Sequence, residues 1–438
     1  MADGEWQDLL NLKNNINEVK KMLANKDLAD HYMEKYNLDA IIATNPLSIK
    51  YFSGFESWVT NKNEEWMGKP GGSNSPIPLL YILPYKGNPI LLIPSVFGPY
   101  SSNLFCEDVR LFGGVPYVEE YEAINKIADG IDNLDKNFFK PFKKIYSTPL
   151  EAIKIILKEL GILKSNIGIE LESFNKALFE IILKELNEAR FENCTELIRL
   201  VRMIKTDDEI SLLVRSAELN ELAMNEAAIN IKEGIKFDEI YNKFERIAKK
   251  DGYNPEHIIF STYGCGVSAN TDYIFKKNQV ILLDSGLYCF NYISDTGTTI
   301  FTGKPGLKYL EVFKRIYESI TLGLDGLRPG AKCSEINNNI TGYLGKHGIH
   351  NTDTHGHGLG LNPSEYPIFS SNLNYSYHDG FEERNADFSL EKDMVVSLEV
   401  PVYIFAEASF IIEMNAIITE NGHRYICTQD RKMPIINQ

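Results

Sequence analysis

Basic residues are the scarce charge in this chain: 45 lysines and arginines stand against 60 aspartates and glutamates, leaving a formal net charge of −15. Nucleic acids and anionic membrane surfaces are bound through basic footprints. No Lys/Arg cluster is long enough to overrule the overall charge, and FKPFKKIY near residue 140 reads more simply as a solvated loop. Neither a nucleic-acid nor a membrane partner is expected. Also missing is any apolar run approaching the ~20 residues that cross a bilayer, and the opening MADGEWQDLLNLKNNINEVKKM is acidic and polar, unlike a secretory leader. Cysteine is thinly used. Cys106, Cys194, Cys265, Cys289, Cys333 and Cys427 show no CxxC or histidine-linked spacing, which fits reduced core thiols better than zinc sites or disulfides. A cytoplasmic protein is the expectation, and no internal repeat at a solenoid period is visible.

What the chain does have is ordinary globular material, 44% apolar and 24% charged residues, in 438 positions. That is longer than a single core usually grows, so two domains are expected. The first half alternates helical and strand patterns. A polar amphipathic segment, LLNLKNNINEVKKMLANKDLADHYMEKY, precedes strand-like LDAIIAT and a turn at Asn45-Pro46. PLLYILPYKGNPILLIPS reads as a hairpin around Lys86-Gly87-Asn88, and NIGIELES as a later strand. This is an α/β pattern that carries no chemical constellation.

A border falls near residue 195, giving expected domains of 1–195 and 196–438. Just beyond it, Thr206 with Glu209 three residues on forms a capping box, and Gly234 marks the expected end of the helix it starts. Ile210, Leu213, Val214, Ala217, Leu222 and Ala228 would be its buried stripe. The rest is strand-rich, with HIIFSTYG, VILLDSGLY, THGHGLGL, MVVSLEVPVYIF and FIIEMNAIITENG separated by one strong helical stretch. Helices among long antiparallel-type strands predict an α+β catalytic domain.

Four of those strands carry charge where apolar residues are normal: Asp284, Asp295, His357, Glu399 and Glu413. Two aspartates eleven positions apart in one β-branched run imply a cation between them, because unpaired buried charge is costly. Four carboxylates and an imidazole suit one or two divalent ions such as Mn²⁺, Fe²⁺, Co²⁺ or Zn²⁺. Water held between two such ions becomes a hydroxide nucleophile near neutral pH.

The segments also resemble an ordered motif set. LLDSGLYCFNYISDTGTT resembles D-x-G…Y-x-x-Y-x-S-D-x-T-x-T, GHGLGLNPSEYP resembles G-H-G-x-G-x-x-x-x-E-x-P, MVVSLEVPVY resembles M-V-x-x-x-E-P-x-x-Y, and FIIEMNAIITENG resembles I-E-x-x-x-x-V-T-x-x-G. This is the set of the pita-bread metallopeptidases: methionine aminopeptidase, aminopeptidase P, prolidase and creatinase. LDAIIATNPLSIKYFSGF in the first half is similar to the creatinase/prolidase-type N-terminal domain, which methionine aminopeptidase lacks. The resemblance implies a creatinase/prolidase-type α/β N-terminal domain followed by an α+β pita-bread metallohydrolase domain. It makes Asp284 the chelating ligand of one metal and Asp295 a bridge between two. His357 and Glu399 would hold the second metal, with Glu413 bridging again. The two ions would be Mn²⁺ first, with Zn²⁺, Co²⁺ or Fe²⁺ as alternatives, and Glu399 would shuttle the proton of the bridging water. A homodimer is implied, with the N-terminal domain helping to cover the partner's site.

The motif set also breaks. Peptidases of this family keep two non-ligand histidines. One would fall near Val267, in YGCGVSANTDY, which holds no histidine; the other would fall at Ser364, although Glu365 and Pro367 of that motif remain. Thr298 replaces the arginine of the second motif, and EVPVY shifts a proline by one place. His355, two positions before His357, is a candidate substitute imidazole, with Ser364 and Glu365 as candidate substrate contacts. IFSSNLNYSYHDGFEERNADFSLEKD is a candidate active-site wall. The expected function is a metal-dependent hydrolase resembling Xaa-Pro aminopeptidase or dipeptidase, acting on a small peptide or amide. The alternatives are creatinase-like hydrolysis of a non-peptide C–N bond and a catalytically silent binding module.

Overall fold

The computed structural model describes residues 24–57, 78–101, 104–113, 140–143, 145–172, 174–250, 253–350, 354–370, 387–426 and 431–437. Most of the first amphipathic segment, residues 371–386 of the candidate wall, and Cys427 lie outside them. The chain divides into two compact units, the break falling between Ile198 and Arg199.

In the first unit, α1 (Lys26–Lys35) is capped by Asn25, whose side chain accepts from the Leu28 amide. It leads to β1 (Ala40–Ala43), all four residues of which are buried. Asn45 then caps α2 (Pro46–Ser53), with proline in the first turn and Gly54 closing it at φ 75. The expected hairpin forms from β2 (Leu80–Pro84) and β3 (Ile90–Pro94), with Leu80 opposite Leu92. β4 (Asp108–Phe112), β5 (Ile145–Tyr146), α3 (Pro149–Glu159), β6 (Asn166–Ile169), α4 (Lys176–Glu185) and β7 (Arg190–Asn193) follow. The strands make a seven-stranded sheet in the order β5-β4-β3-β2-β1-β6-β7. Ile42, Ile82, Leu92, Ile153, Ile156 and Ile167 lie in its core, each contributing about 1.5–3 kcal/mol by leaving water. Among the described residues, no side-chain group able to hold a metal lies in this unit.

α5 (Thr195–Met203) carries the chain into the second unit, where α6 (Asp207–Ala228) starts on the capping box, Thr206 and Glu209 satisfying each other's amides. The helix stops at Ala228 rather than at Gly234, as the amides of Asn230 and Ile231 turn back to the carbonyls of Ala227 and Ala228. Its buried face is also rotated from the expected stripe. Leu213, Ala217 and Ala228 are inside, but Leu222 is 43% exposed, while polar Ser216 and Asn220 are buried. Both polar residues hydrogen-bond backbone carbonyls of the sheet beneath, at Leu287 and Ser285.

That sheet holds β8 (Asn254–Ser261), β9 (Val280–Cys289) and β10 (Tyr292–Thr302), covered by α6 and α7 (Phe237–Lys250). β9 and β10 are one hairpin with a two-residue turn at Phe290-Asn291, both at positive φ, 46 and 76. This backbone handedness matches the strand twist. After α8 (Leu307–Asp325) and α9 (Cys333–Lys346) come β11 (Thr354–Gly358), β12 (Glu365–Ser370), β13 (Val395–Glu399), β14 (Val402–Ile404), β15 (Ala408–Phe410), β16 (Glu413–Ile418), β17 (His423–Tyr425) and β18 (Ile435–Asn437). The second large sheet runs β12-β11-β13-β16-β17, and β18 pairs with β10. Of the described cysteines Cys106, Cys194, Cys289 and Cys333 are buried free thiols, whereas Cys265 is exposed, which corrects the expectation that all are core residues. Among the described residues no helix is long and apolar enough to cross a membrane.

Candidate metal centre

Strand register explains why two aspartates can share one spot. Asp284 lies opposite Gly297 and Asp295 opposite Gly286, so the two carboxylates are diagonal neighbours on one face of the hairpin. The positions directly across from each are glycines, and neighbouring side chains fill the space a Cβ would take: His257 over Gly286 and Ile411 over Gly297. The third strand adds a residue the motif set does not contain. A bulge between Pro255 and His257 on β8 sets His257 opposite Gly286. A Cβ on Gly286 would lie 2.6 Å from His257 Nδ1, so this ring position requires glycine beneath it. His257 Nε2 stands 3.2 Å from Asp284 Oδ1 and 3.5 Å from Asp295 Oδ1.

The other sheet supplies the remaining candidate ligands by the same logic. His357 pairs with Ser397 and Glu399 with Glu413, which puts all of them on one side of β11, β13 and β16. Ser397 Oγ donates to Glu413 Oε1 at 2.7 Å. The two sheets are tied where they meet, Asn415 donating to the Asp295 carbonyl at 2.7 Å. His357 Nε2 lies 4.0 Å from Asp295 Oδ2 and 3.9 Å from Glu399 Oε1. Two ligand groups result, His257–Asp284–Asp295 and Asp295–His357–Glu413, each with ligand atoms within 4.8 Å of one another. Asp295 belongs to both.

The electrostatics fit a cation supplied from outside. Burial raises the Asp295 carboxyl well above the usual range, and the charges of Glu413 and Asp284 push it further. Burial and then Asp284 raise Glu399 to about 7. Asp295 Oδ1 is buried and accepts no hydrogen bond. Burial also lowers His357, favouring neutral imidazole. Its Nδ1 donates to the Gly358 carbonyl at 3.2 Å, which leaves the Nε2 lone pair directed at the carboxylates. A neutral nitrogen donor beside carboxylates that repel one another is a donor set for divalent metal. Tyr403, on β14, also faces the group: burial raises its hydroxyl, as do the charges of Asp284 and Glu399.

The remaining candidates separate. His355 is fully buried, its Nδ1 3.3 Å from the Glu399 carbonyl oxygen. Glu365 has partners from the chain itself. Arg202 pairs with it, Lys205 Nζ is 3.7 Å away, and the amides of Leu361 and Asn362 donate at 2.9 and 3.0 Å. Ser364 lines a small cleft with Arg199, Arg202, Asn362, Tyr366 and Ile368. Val267, where the family imidazole would fall, is 54% exposed. His257 is the residue that sequence reasoning missed.

Residues 211–420 match metallopeptidase family M24. The chain is 25% identical over 424 residues to an uncharacterized peptidase of Staphylococcus epidermidis, covering 95% of this chain and 99% of that one. It is 26% identical to a Xaa-Pro dipeptidase of Pyrococcus horikoshii, over 72% of this chain and 84% of the relative. The solved Xaa-Pro dipeptidase of Bacillus anthracis superposes with a TM-score of 0.69 at 21% identity, covering 94% of this chain and 99% of that one. The family match thus falls in the C-terminal unit of this chain. The protein is accordingly a peptidase-like metal-dependent hydrolase by family, preceded by an N-terminal domain as in the prolidases.

Proposed function

We propose that the protein is a dinuclear metallohydrolase that cleaves a small peptide, of the Xaa-Pro dipeptide class, in the cytoplasm. The observation that carries this reading is Asp295, whose carboxylate is common to both ligand groups. Asp284 would hold one ion, His357 and Glu399 the other, with Asp295 and Glu413 between. The five motif residues alone are carboxylate-dominated and suit Mn²⁺. When bound, such ions polarise a carbonyl and lower the pKa of a water. Glu399, placed beside both the metal and the nucleophile, would take the proton of the water and return it to the leaving amine. His355 holds the backbone of Glu399 and so acts as a positioning residue. Glu365 fixes the loop that follows His357 by accepting its amides. A homodimer is part of the proposal, supported by the resemblance to creatinase and prolidase and by an N-terminal unit without a metal-holding group among its described residues.

One observation favours a second reading, hydrolysis of a non-peptide C–N bond. Ser364 stands where peptidases carry an imidazole, and its cleft offers Arg199 and Asn362 as donors for a small polar compound. Metal analysis of the purified protein, with a Mn²⁺-supplemented screen of Xaa-Pro dipeptides and small amides, separates the two. Two ions with dipeptide turnover is the expected result. Two ions with turnover confined to non-peptide amides would establish the second reading, and no retained metal would defeat both.

A further inference from the structure

We propose that His257 is a sixth metal ligand, which gives the ion at Asp284 an imidazole of its own and shifts this end of the centre toward Zn²⁺, Co²⁺ or Fe²⁺. The inference rests on the metal-centre reading above and extends it to a residue outside the motif set.

Three independent features of the chain build the position. The bulge at Glu256 turns His257 to the aspartate face of the sheet. Gly286 leaves room for the ring, since a Cβ there would also come within 2.7 Å of His257 Cε1. Glu256 engages Nδ1 through its carboxylate, leaving Nε2 for Asp284 and Asp295. A carboxylate on one ring nitrogen with the other aimed at a cation pocket is the usual arrangement of a metal-bound histidine. The carboxylate fixes the tautomer and raises the basicity of the ligating nitrogen. His257, Asp284 and Asp295 have ligand atoms within 4.8 Å of one another, as close a group as the one around His357.

The chemical consequence follows from donor type. With His257 counted, each ion has one imidazole among carboxylates. Imidazole suits zinc, copper, iron and nickel, whereas oxygen-only sets suit manganese, magnesium and calcium. The site at Asp284 thereby changes from an oxygen site to a mixed one.

The test is binding of metal to chelator-stripped full-length protein, read by calorimetry and competition with a chromophoric chelator, for Zn²⁺, Co²⁺ and Mn²⁺ separately. His257→Ala should weaken one of the two Zn²⁺ or Co²⁺ steps by at least about 100-fold, and Glu256→Gln by about tenfold. The Mn²⁺ steps should change much less. X-ray absorption of the zinc-loaded protein should show the average imidazole count per ion halved in His257→Ala. His257→Gln, with circular dichroism as a fold check, guards against a variant that simply unfolds. Unchanged Zn²⁺ affinity and imidazole count in a folded His257 variant would overturn the proposal and leave the metal centre standing. Tighter binding in the variant would also overturn it, by showing that the imidazolium competes with the ion. A wild-type protein that takes up no metal would remove the underlying reading and this proposal with it.

Discussion

Glu365 and Asp295 are both buried acids of the same unit, and they sit in opposite electrostatic settings. Burial alone would push both upward. At Glu365 the charges of Arg202 and Lys205 overcome it and hold the carboxyl below its ordinary value. At Asp295 the neighbouring groups include Glu413 and Asp284, and the carboxyl rises. One acid has its cations built into the chain. The other has two acids, Glu413 and Asp284, beside it, which the nearby His257 imidazole offsets only in part, an arrangement that lowers stability unless a cation from solution enters. A third acid, Glu170 in the N-terminal unit, is held by hydrogen bonds: the amides of Thr44 and Asn45 each donate to it at 2.9 Å, and Ser48 Oγ at 2.7 Å. These contrasts separate acids that hold the fold from acids placed to hold a metal.

The comparison breaks most visibly at Asp295. Asp295→Asn removes the carboxylate common to both ligand groups, so uptake of a second ion should vanish and hydrolysis should fall by on the order of 10³-fold or more. Elemental analysis and dipeptide turnover measure the two effects. A variant that still binds two ions tightly would show that Asp295 bridges nothing.

Arg202→Met tests the other side. It leaves Glu365 buried with Lys205 as its remaining cation, and stripping one partner from a buried pair costs about 3–5 kcal/mol. Urea unfolding should show that loss, while the number of bound ions stays the same. A loss under about 1 kcal/mol would mean that the amides of Leu361 and Asn362 suffice.

The same contrast explains what could be read from sequence. Asp284, Asp295, His357, Glu399 and Glu413 could be singled out as candidates because each interrupts an apolar strand within an ordered motif, and four of them fall in groups able to hold a metal. His257 was not singled out, because its side of the sheet depends on a bulge at Glu256, and strand alternation read from sequence assumes no bulge. A usable signal was present in the glycine of Asp-Ser-Gly, Gly286, which marks a place where another group comes close. The partners of Glu365 were hidden for a different reason. Its partner Arg202 lies 163 residues upstream, so nothing local shows that the carboxylate is already taken. In the fold, the hairpin at Lys86-Gly87-Asn88 and the capping box at Thr206 rest on short-range chemistry and form as expected. The rotated face of α6 depends on which backbone carbonyls the sheet presents to Ser216 and Asn220.

The smallest expected effect lies at Glu209, an acid intermediate between the two extremes. Its carboxylate accepts from the Thr206 amide at 2.8 Å and from the Tyr292 hydroxyl at 3.0 Å. Lys205 and Glu365 also face it, with opposite signs. Burial dominates and raises it to about 7. A raised carboxyl binds its proton more tightly in the folded chain than in the unfolded one. Its contribution to stability is therefore complete below the unfolded pKa near 4.5 and is lost as the pH rises through about 7. Glutamine serves the capping box as well as glutamate and does not titrate. Relative to the wild type, Glu209→Gln should therefore gain roughly 2 to 3 kcal/mol between pH 5 and pH 8, at about 1.4 kcal/mol per pKa unit. Unfolding midpoints measured across that range check it. A constant difference between the two proteins would show that Lys205 keeps Glu209 ionised throughout, and would place it with Glu365 among the acids whose cations are built into the chain.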